Sequence, residues 1–160
     1  MQYKVQKGLS EAFASMVKEA AVAYDTAVFD LQQFFNDKFL VSKCIYKGVP
    51  FHLCSEIQKS APFTELEWAE MLGVSTKTLQ RHAQEASFSF KPIHSEKILE
   101  LAEVSLKAQS VFDSQEQFHK WLYSASLALG SMRPIDLLKN SYGKDLVMDE
   151  LNRIDQGIFA

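Results

Sequence analysis

Apolar residues recur along this chain at spacings of three and four, and nowhere do they alternate long enough to read as a strand between turn signals. A buried face with that period belongs to helices, so the sequence predicts an all-α protein. With 160 residues, 47% of them apolar and 12% aromatic, there is material for one ordinary domain or two small ones sharing contacts, and disorder over most of the length is excluded. Six glycines and four prolines rule out collagenous and low-complexity classes.

The first predicted helix is long and amphipathic. Ser10 is its expected N-cap, with Glu11 in the first turn, and Phe13, Val17, Ala20, Tyr24, Ala27, Leu31 and Phe34 form one continuous stripe. Met16, Val28 and Phe35 widen that stripe beyond a two-stranded seam, as for packing on its own domain or on a partner. Asn36 and Asp37 break the pattern and cap a short helix with Phe39, Leu40, Cys44 and Ile45; Gly48 ends it. Pro50 suits a first helical turn, followed by Phe51, Leu53, Cys54 and Ile57 as a buried side, and Pro62 closes the helix.

Residues 63 to 84 have the spacing of a helix-turn-helix. Thr64 and Glu67 make a capping box before a helix over Glu65 to Leu72, and Gly73 supplies the tight turn. Ser75 caps a second helix whose Leu79 faces inward. Ala69 permits close approach of the two helices, with Trp68, Leu72 and Val74 locking them together. Thr76, Lys77, Gln80, Arg81 and Gln84 share the opposite face. Gln80 and Arg81 are the expected base readers, because a carboxamide bridges adenine N6 and N7 and a guanidinium bridges guanine O6 and N7. Ser75, Thr76 and Lys77, at the helix start, suit phosphate. The plainer alternative is a helix-turn-helix that only supports assembly.

Phe88, Phe90 and Pro92 read as a connector. Ser95 then caps a helix through about Ser110, bearing Ile98, Leu99, Leu101, Ala102 and Leu106. Shorter helices follow: one capped by Ser114 with Phe118, Trp121 and Leu122, one started by Pro134 with Ile135, Leu137 and Leu138, and one from about Tyr142 with Leu146, Val147, Leu151 and Ile154 before Gly157.

Charge confines any DNA contact to a local surface. The chain has 17 Lys and Arg against 20 Asp and Glu, a formal −3, which is no coat for nucleic acid or anionic lipid. Residues 61 to 103 hold 4 basic and 7 acidic groups, but Glu65, Glu67 and Glu70 all lie on the first helix of the motif. Residues 75 to 91 carry Lys77, Arg81 and Lys91 against Glu85 alone, so the reading side is positive. One copy with so few cations binds poorly, and useful affinity calls for two copies on half-sites about 34 Å apart.

The segments Gly48-Val49-Pro50, Trp68-Ala69-Glu70-Met71-Leu72-Gly73-Val74-Ser75, Thr78-Leu79-Gln80-Arg81 and Ser95-Glu96-Lys97-Ile98-Leu99 resemble the Xre-like helix-turn-helix domain of MbcA/ParS/Xre antitoxins. Val111-Phe112, Phe118, Trp121-Leu122, Ala128-Leu129-Gly130, Pro134, Asp136-Leu137-Leu138, Gly143, Val147, Leu151, Ile154 and Gly157-Ile158-Phe159-Ala160 resemble that family's C-terminal toxin-binding domain. The two together span roughly residues 45 to 160 and are more specific than either half. Residues 1 to 40 fit no part of the pattern. Ser131 departs from it where the family often has a second glycine, Ser124-Ala125-Ser126 replaces a Pro-Asn turn, and His82 stands at a commonly apolar position.

The resemblance implies a non-enzymatic antitoxin of a type II system whose RES-domain toxin consumes NAD, neutralised when the antitoxin's C-terminal domain packs over the active-site cleft. On that basis Arg153, Gln156, Gly157, Ile158, Phe159 and Ala160 are the toxin-binding positions, and Gly73, Leu129, Gly130, Pro134 and Gly143 are structural. It also implies repression of the antitoxin's own operon through operator DNA, as a homodimer or a larger toxin-bound assembly. Read without the resemblance, the tail has two outcomes. Gly157 turns Ile158 and Phe159 off the helix axis as an apolar anchor with a terminal carboxylate, or Phe159 folds back as core.

No catalytic, cofactor or metal site is expected. His52, His82, His94 and His119 lie on separate helices without an H-x-x-x-H pair, and no P-loop, Rossmann or G-x-S-x-G pattern occurs. Cys44 and Cys54 lack disulfide or zinc spacing and read as reduced, buried thiols. Met1 to Leu9 is not followed by an apolar signal region and no segment is long enough for a bilayer, so a cytoplasmic, non-membrane protein is expected. The expected organisation is an N-terminal helical segment over 1–47 that serves oligomerisation, a helix-turn-helix domain over 48–103, and a small C-terminal toxin-binding bundle over 104–160. The alternatives are a stand-alone transcriptional regulator, or an adaptor docking through the 13 to 34 stripe.

Overall fold

The structure is a computed structural model that describes the backbone of residues 2–21 and 29–158, and side chains from residue 7 onward within those ranges. Among the described residues every named element is helical, with two isolated β-bridges, so the fold is all-α as expected. The helices are α1 (Gln2–Ala20), α2 (Leu31–Asn36), α3 (Lys38–Lys47), α4 (Phe51–Ser60), α5 (Glu65–Leu72), α6 (Thr76–His82), α7 (Pro92–Val111), α8 (Gln115–Tyr123), a 3₁₀ turn (Leu127–Leu129), α9 (Pro134–Leu137) and α10 (Ser141–Asp155). The chain divides into two compact units, Met1–Ile98 and Leu99–Ala160, the division falling inside α7.

The first unit corrects the single long helix expected from the stripe. Ser10 lies inside α1, which begins at Gln2 and ends at Ala20, and Leu31 and Phe34 belong to a separate helix capped by the Asp30 carboxylate accepting from Gln32 N–H at 2.8 Å. In one straight helix Phe13 and Phe34 would stand about 30 Å apart, given a rise of 1.5 Å per residue. Their rings are 5.3 Å apart and edge-on, and Phe35 reaches the same ring at 5.8 Å. Periodicity placed Phe13, Val17 and Phe34 on a buried face but did not report the break between them. Phe13, Met16, Val17 and Phe34 are fully buried and form internal core, while Ala20 and Leu31 are half-buried. Tyr24, Ala27 and Val28 lie outside the described residues.

Helix α1 packs on α3 and α4. Asp37 caps α3 as read from sequence, its side chain accepting from Leu40 N–H at 3.0 Å. The Gly48-Val49-Pro50 segment pairs with Ser89-Phe90: Phe90 N–H donates to the Val49 carbonyl at 2.8 Å, and Pro50 bridges Ser89. This alters the role of Ser95. It is not an N-cap, because α7 already starts at Pro92, a proline where the missing N–H costs nothing. Instead the fully buried Ser95 hydroxyl donates to the Phe90 carbonyl and accepts from Val49 N–H at 2.9 Å, tying the start of α7 to the entry of α4.

In the second unit, Phe118, Leu122, Leu129, Ile135, Leu137, Leu138, Val147 and Leu151 form the core. Helices α8 and α10 both pack on α9, and the 3₁₀ turn packs on α10. Ser114 and Asn140 cap α8 and α10, accepting from Gln117 and Gly143 N–H. Two ion pairs bind α10 to α7 within this unit: Lys144 to Glu103, mostly buried, and Lys107 to Asp155 at 2.6 Å.

Candidate functional site

The expected helix-turn-helix forms over α5 and α6. The capping box is complete: Thr64 Oγ1 accepts from Glu67 N–H, and the Glu67 carboxylate accepts from Thr64 N–H at 2.8 Å. Gly73 takes the left-handed conformation (φ 66°, ψ 32°), its N–H reaching the Glu70 carbonyl and that of Val74 the Ala69 carbonyl, which closes α5 in a tight turn. Ser75 Oγ caps α6 by accepting from Thr78 N–H at 3.0 Å. Trp68, Ala69, Leu72 and Leu79 are buried where the two helices meet.

Of the six residues expected to face DNA, Ser75, Lys77, Gln80, Arg81 and Gln84 are exposed and Thr76 is half-buried. The first five positions, from Ser75 to Arg81, lie on α6 or its cap. Gln84 does not continue the helical face, since α6 ends at His82 and Gln84 sits in the turn that follows, its N–H on the Arg81 carbonyl. Gln80 borders an open cleft of about 360 Å³ lined also by Phe51, Phe63, Trp68 and Leu79. Arg81 has an acid at 4.0 Å, Glu85, which dilutes its charge in solution. His82 fills the place of an apolar residue by stacking flat on Phe88, with ring centroids 3.6 Å apart.

The structural positions of the second unit have clear steric causes. A Cβ at Gly143 would collide with the Leu137 carbonyl, so the first turn of α10 lies directly on the α9 main chain. Gly130 is left-handed (φ 65°) at the end of the 3₁₀ turn, Leu129 is buried, and Pro134 opens α9. Ser131 also has positive φ, 62°, the conformation in which a glycine is free of Cβ strain. Arg133 grips Asp136 through two hydrogen bonds, at 2.7 and 3.1 Å, which hold that carboxyl below the usual carboxylate range.

Helix α10 ends as read from sequence. Gly157 is left-handed (φ 69°), its N–H bonds the Ile154 carbonyl, and Ile158 N–H bonds the Arg153 carbonyl at 2.9 Å, turning the chain off the helix axis. Gln156 and Gly157 are exposed, and Ile158, the last described residue, is 53% exposed. Arg153 pairs with Glu150 at 3.3 Å, leaving part of its guanidinium in solvent. Phe159 and Ala160 lie outside the described residues.

Sequence reading missed the outward apolar groups of this unit. Leu146, expected on the buried side of the last helix, is 52% exposed, because Gly143, Val147 and Leu151 define the inner line. Tyr142, one turn before it, is 87% exposed, and Leu127 and Met132 stand out around the 3₁₀ turn. The helical angle of Tyr142 and Leu146 relative to Val147 and Leu151 is the signal that would have found them. Among the described residues, no cluster of His, Cys, Asp or Glu is suited to a metal ion, and no helix is long and apolar enough to cross a membrane. Both cysteines are buried and unpaired; desolvation pushes the Cys44 thiol up to about 11 and Cys54 to about 12.

Residues 107–157 match the antitoxin Xre/MbcA/ParS C-terminal toxin-binding domain family. Over 67% of this chain and 94% of that chain, the fold is similar to a chain in the crystal structure of the M. tuberculosis MbcT–MbcA toxin–antitoxin complex, with a TM-score of 0.55 at 18% identity. No curated protein matches the sequence.

Proposed function

We propose, from the premise that this chain is of the MbcA/ParS/Xre antitoxin type, that it is the non-enzymatic partner of an NAD-consuming RES-domain toxin, which it neutralises in the cytoplasm by covering the active-site cleft. The observation that carries this reading is the toxin-binding domain match over residues 107–157, which takes in nearly the whole second unit. The geometry of the tail supports it. Gly157 diverts the chain off the α10 axis, and Ile158 keeps about half of its surface in solvent. Residues 156–160, with Arg153 beside them, are then the group presented to the cleft, an apolar anchor suited to a pocket that otherwise holds a nucleotide.

The same chain represses its own operon through α6. Exposed Ser75, Lys77, Gln80 and Arg81 on a capped helix, with the acids of α5 kept on a different helix, support a major-groove reader. Thr76 and Gln84 contribute at its edges. Three cations, Lys77, Arg81 and Lys91, make a weak single-copy footprint, so the repressing form is a dimer or a larger toxin-bound assembly. A stand-alone regulator is the competing reading.

Co-expression with the protein encoded by the adjacent reading frame tests the proposal, using growth and NAD level as readouts. Arg81→Ala weakens operator binding while rescue from toxicity persists; removal of Ile158 to Ala160 abolishes rescue while operator binding persists. Loss of both activities in each folded variant refutes the two-site reading, and absence of any complex with a RES protein leaves the stand-alone regulator.

A further inference from the structure

Helix α10 has an outer face that its own unit leaves uncovered. At about 100° per residue, Tyr142, Leu146, Asp149 and Arg153, spaced four, three and four, lie within about 60° of one another on the helix surface. All are solvent-facing: Tyr142 and Asp149 are exposed, Leu146 is half-exposed, and Arg153 keeps part of its side chain in water. The inner side of the helix is covered. Gly143 lies against the α9 main chain, Val147 and Leu151 are in the core, and Lys144 and Asp155, on the flank facing away from the stripe, are ion-paired to α7. Two large apolar side chains one turn apart, on a helix held rigidly from behind, are the arrangement of a helix that seats in a groove.

What covers this stripe follows from where it lies. The whole of the described stripe falls inside the matched toxin-binding domain, and its lower end runs directly into the exposed Gln156–Ile158 turn. Resting on the antitoxin reading above, we infer that the outer stripe of α10 is the docking surface that supplies affinity for the toxin, while the tail supplies inhibition. The partner surface it fits is an apolar groove for Tyr142 and Leu146, bordered by an acidic side chain within reach of Arg153, whose guanidinium is held toward Glu150 until docking. Binding and neutralisation are then separable within one helix and its extension.

The test uses the full chain and a catalytically inactive form of the RES protein encoded in the adjacent reading frame, with affinity from calorimetry; inhibition is read on the active form as NAD consumption. Tyr142→Ala with Leu146→Ala weakens binding about 100-fold or more, with the melting temperature lowered by only a few degrees since Tyr142 stands in solvent and Leu146 is half-exposed, and saturating amounts of that variant still inhibit. Tyr142→Phe, which keeps the ring, stays within a few-fold of wild type. Removal of Ile158 to Ala160 keeps the affinity within about tenfold and loses inhibition. If wild type binds and the double variant binds equally well, or if the tail deletion alone abolishes binding, the docking stripe is refuted and the antitoxin reading stands. If wild type itself binds no such protein, the antitoxin reading falls and takes the stripe with it.

Discussion

Replacing Gly143 with alanine sets two physical effects against each other. By intrinsic propensity the change favours helix by about 1 kcal/mol, since alanine loses less backbone freedom than glycine. The structure reverses that sign. The added Cβ overlaps the Leu137 carbonyl oxygen and would lie 2.7 and 2.9 Å from that residue's carbonyl carbon and Cα. These are main-chain atoms at the end of α9, so no rotamer change relieves the clash, and α10 has to move off α9 while Asn140 holds Gly143 N–H at 2.9 Å. Overpacking of this kind costs about 1–3 kcal/mol; a main-chain obstacle puts Gly143 at the upper end, about 3 kcal/mol, so a net loss of roughly 2 kcal/mol is expected after the helix term is subtracted. At roughly 2–4 °C per kcal/mol for a chain of this size, the melting temperature falls by about 4–8 °C. Gly8, inside α1, is the internal control: there a Cβ meets only the carboxyl end of the flexible Glu56 side chain, Oε2 at 3.0 Å and Cδ at 3.8 Å. Gly8→Ala is therefore expected to be neutral or stabilising by up to about 1 kcal/mol. Urea unfolding followed by far-UV circular dichroism compares the two. Equal stabilisation by both substitutions would show that propensity alone governs Gly143, and that α10 does not rest on the α9 main chain.

Three further outcomes follow from the same structure. Ser131→Gly relieves a left-handed backbone and raises stability by about 0.5–1 kcal/mol, the relief being partly offset by glycine's larger unfolded-state entropy; a loss of stability in urea would contradict the positive φ. Lys144→Met leaves the mostly buried Glu103 carboxylate without its cation, costing about 1–3 kcal/mol because both groups keep some solvent contact, and adding Glu103→Gln recovers part of the loss in a double-mutant cycle. With their thiols raised by desolvation to about 11 and about 12, Cys44 and Cys54 are almost wholly protonated at pH 8, so native protein resists a disulfide reagent that labels both at once in denaturant. Their reactivity rises only as pH climbs toward those values, and fast labelling of one thiol in the folded state at pH 8 would refute the burial argument.

Legibility differed sharply between local and long-range features. The caps at Thr64, Ser75, Asp37 and Ser114, the turn at Gly73 and the helix end at Gly157 were all readable, because each depends on a side chain and a backbone group within a few residues. The face of α6 was readable for the same reason, apart from Gln84, which the helix end removes from it. What escaped were features that require knowing what lies opposite. Ser95 has the chemistry of a cap but bridges Val49 and Phe90, a residue 46 positions away and one five away. Leu146 is apolar yet exposed, since the α9 main chain and α7 claim the other sides of α10.

Helical class, the helix-turn-helix and the terminal glycine turn were thus determined by the sequence alone, through hydrogen bonds and steric preferences that span at most one helical turn. Tertiary structure decided that the Phe13 to Phe34 stripe folds back on itself, with rings 5.3 Å apart, instead of running through one helix. It also decided that Tyr142 and Leu146 face outward. Periodicity specifies which side chains share a face, but burial is a property of the surface brought against that face, and only the folded chain supplies it.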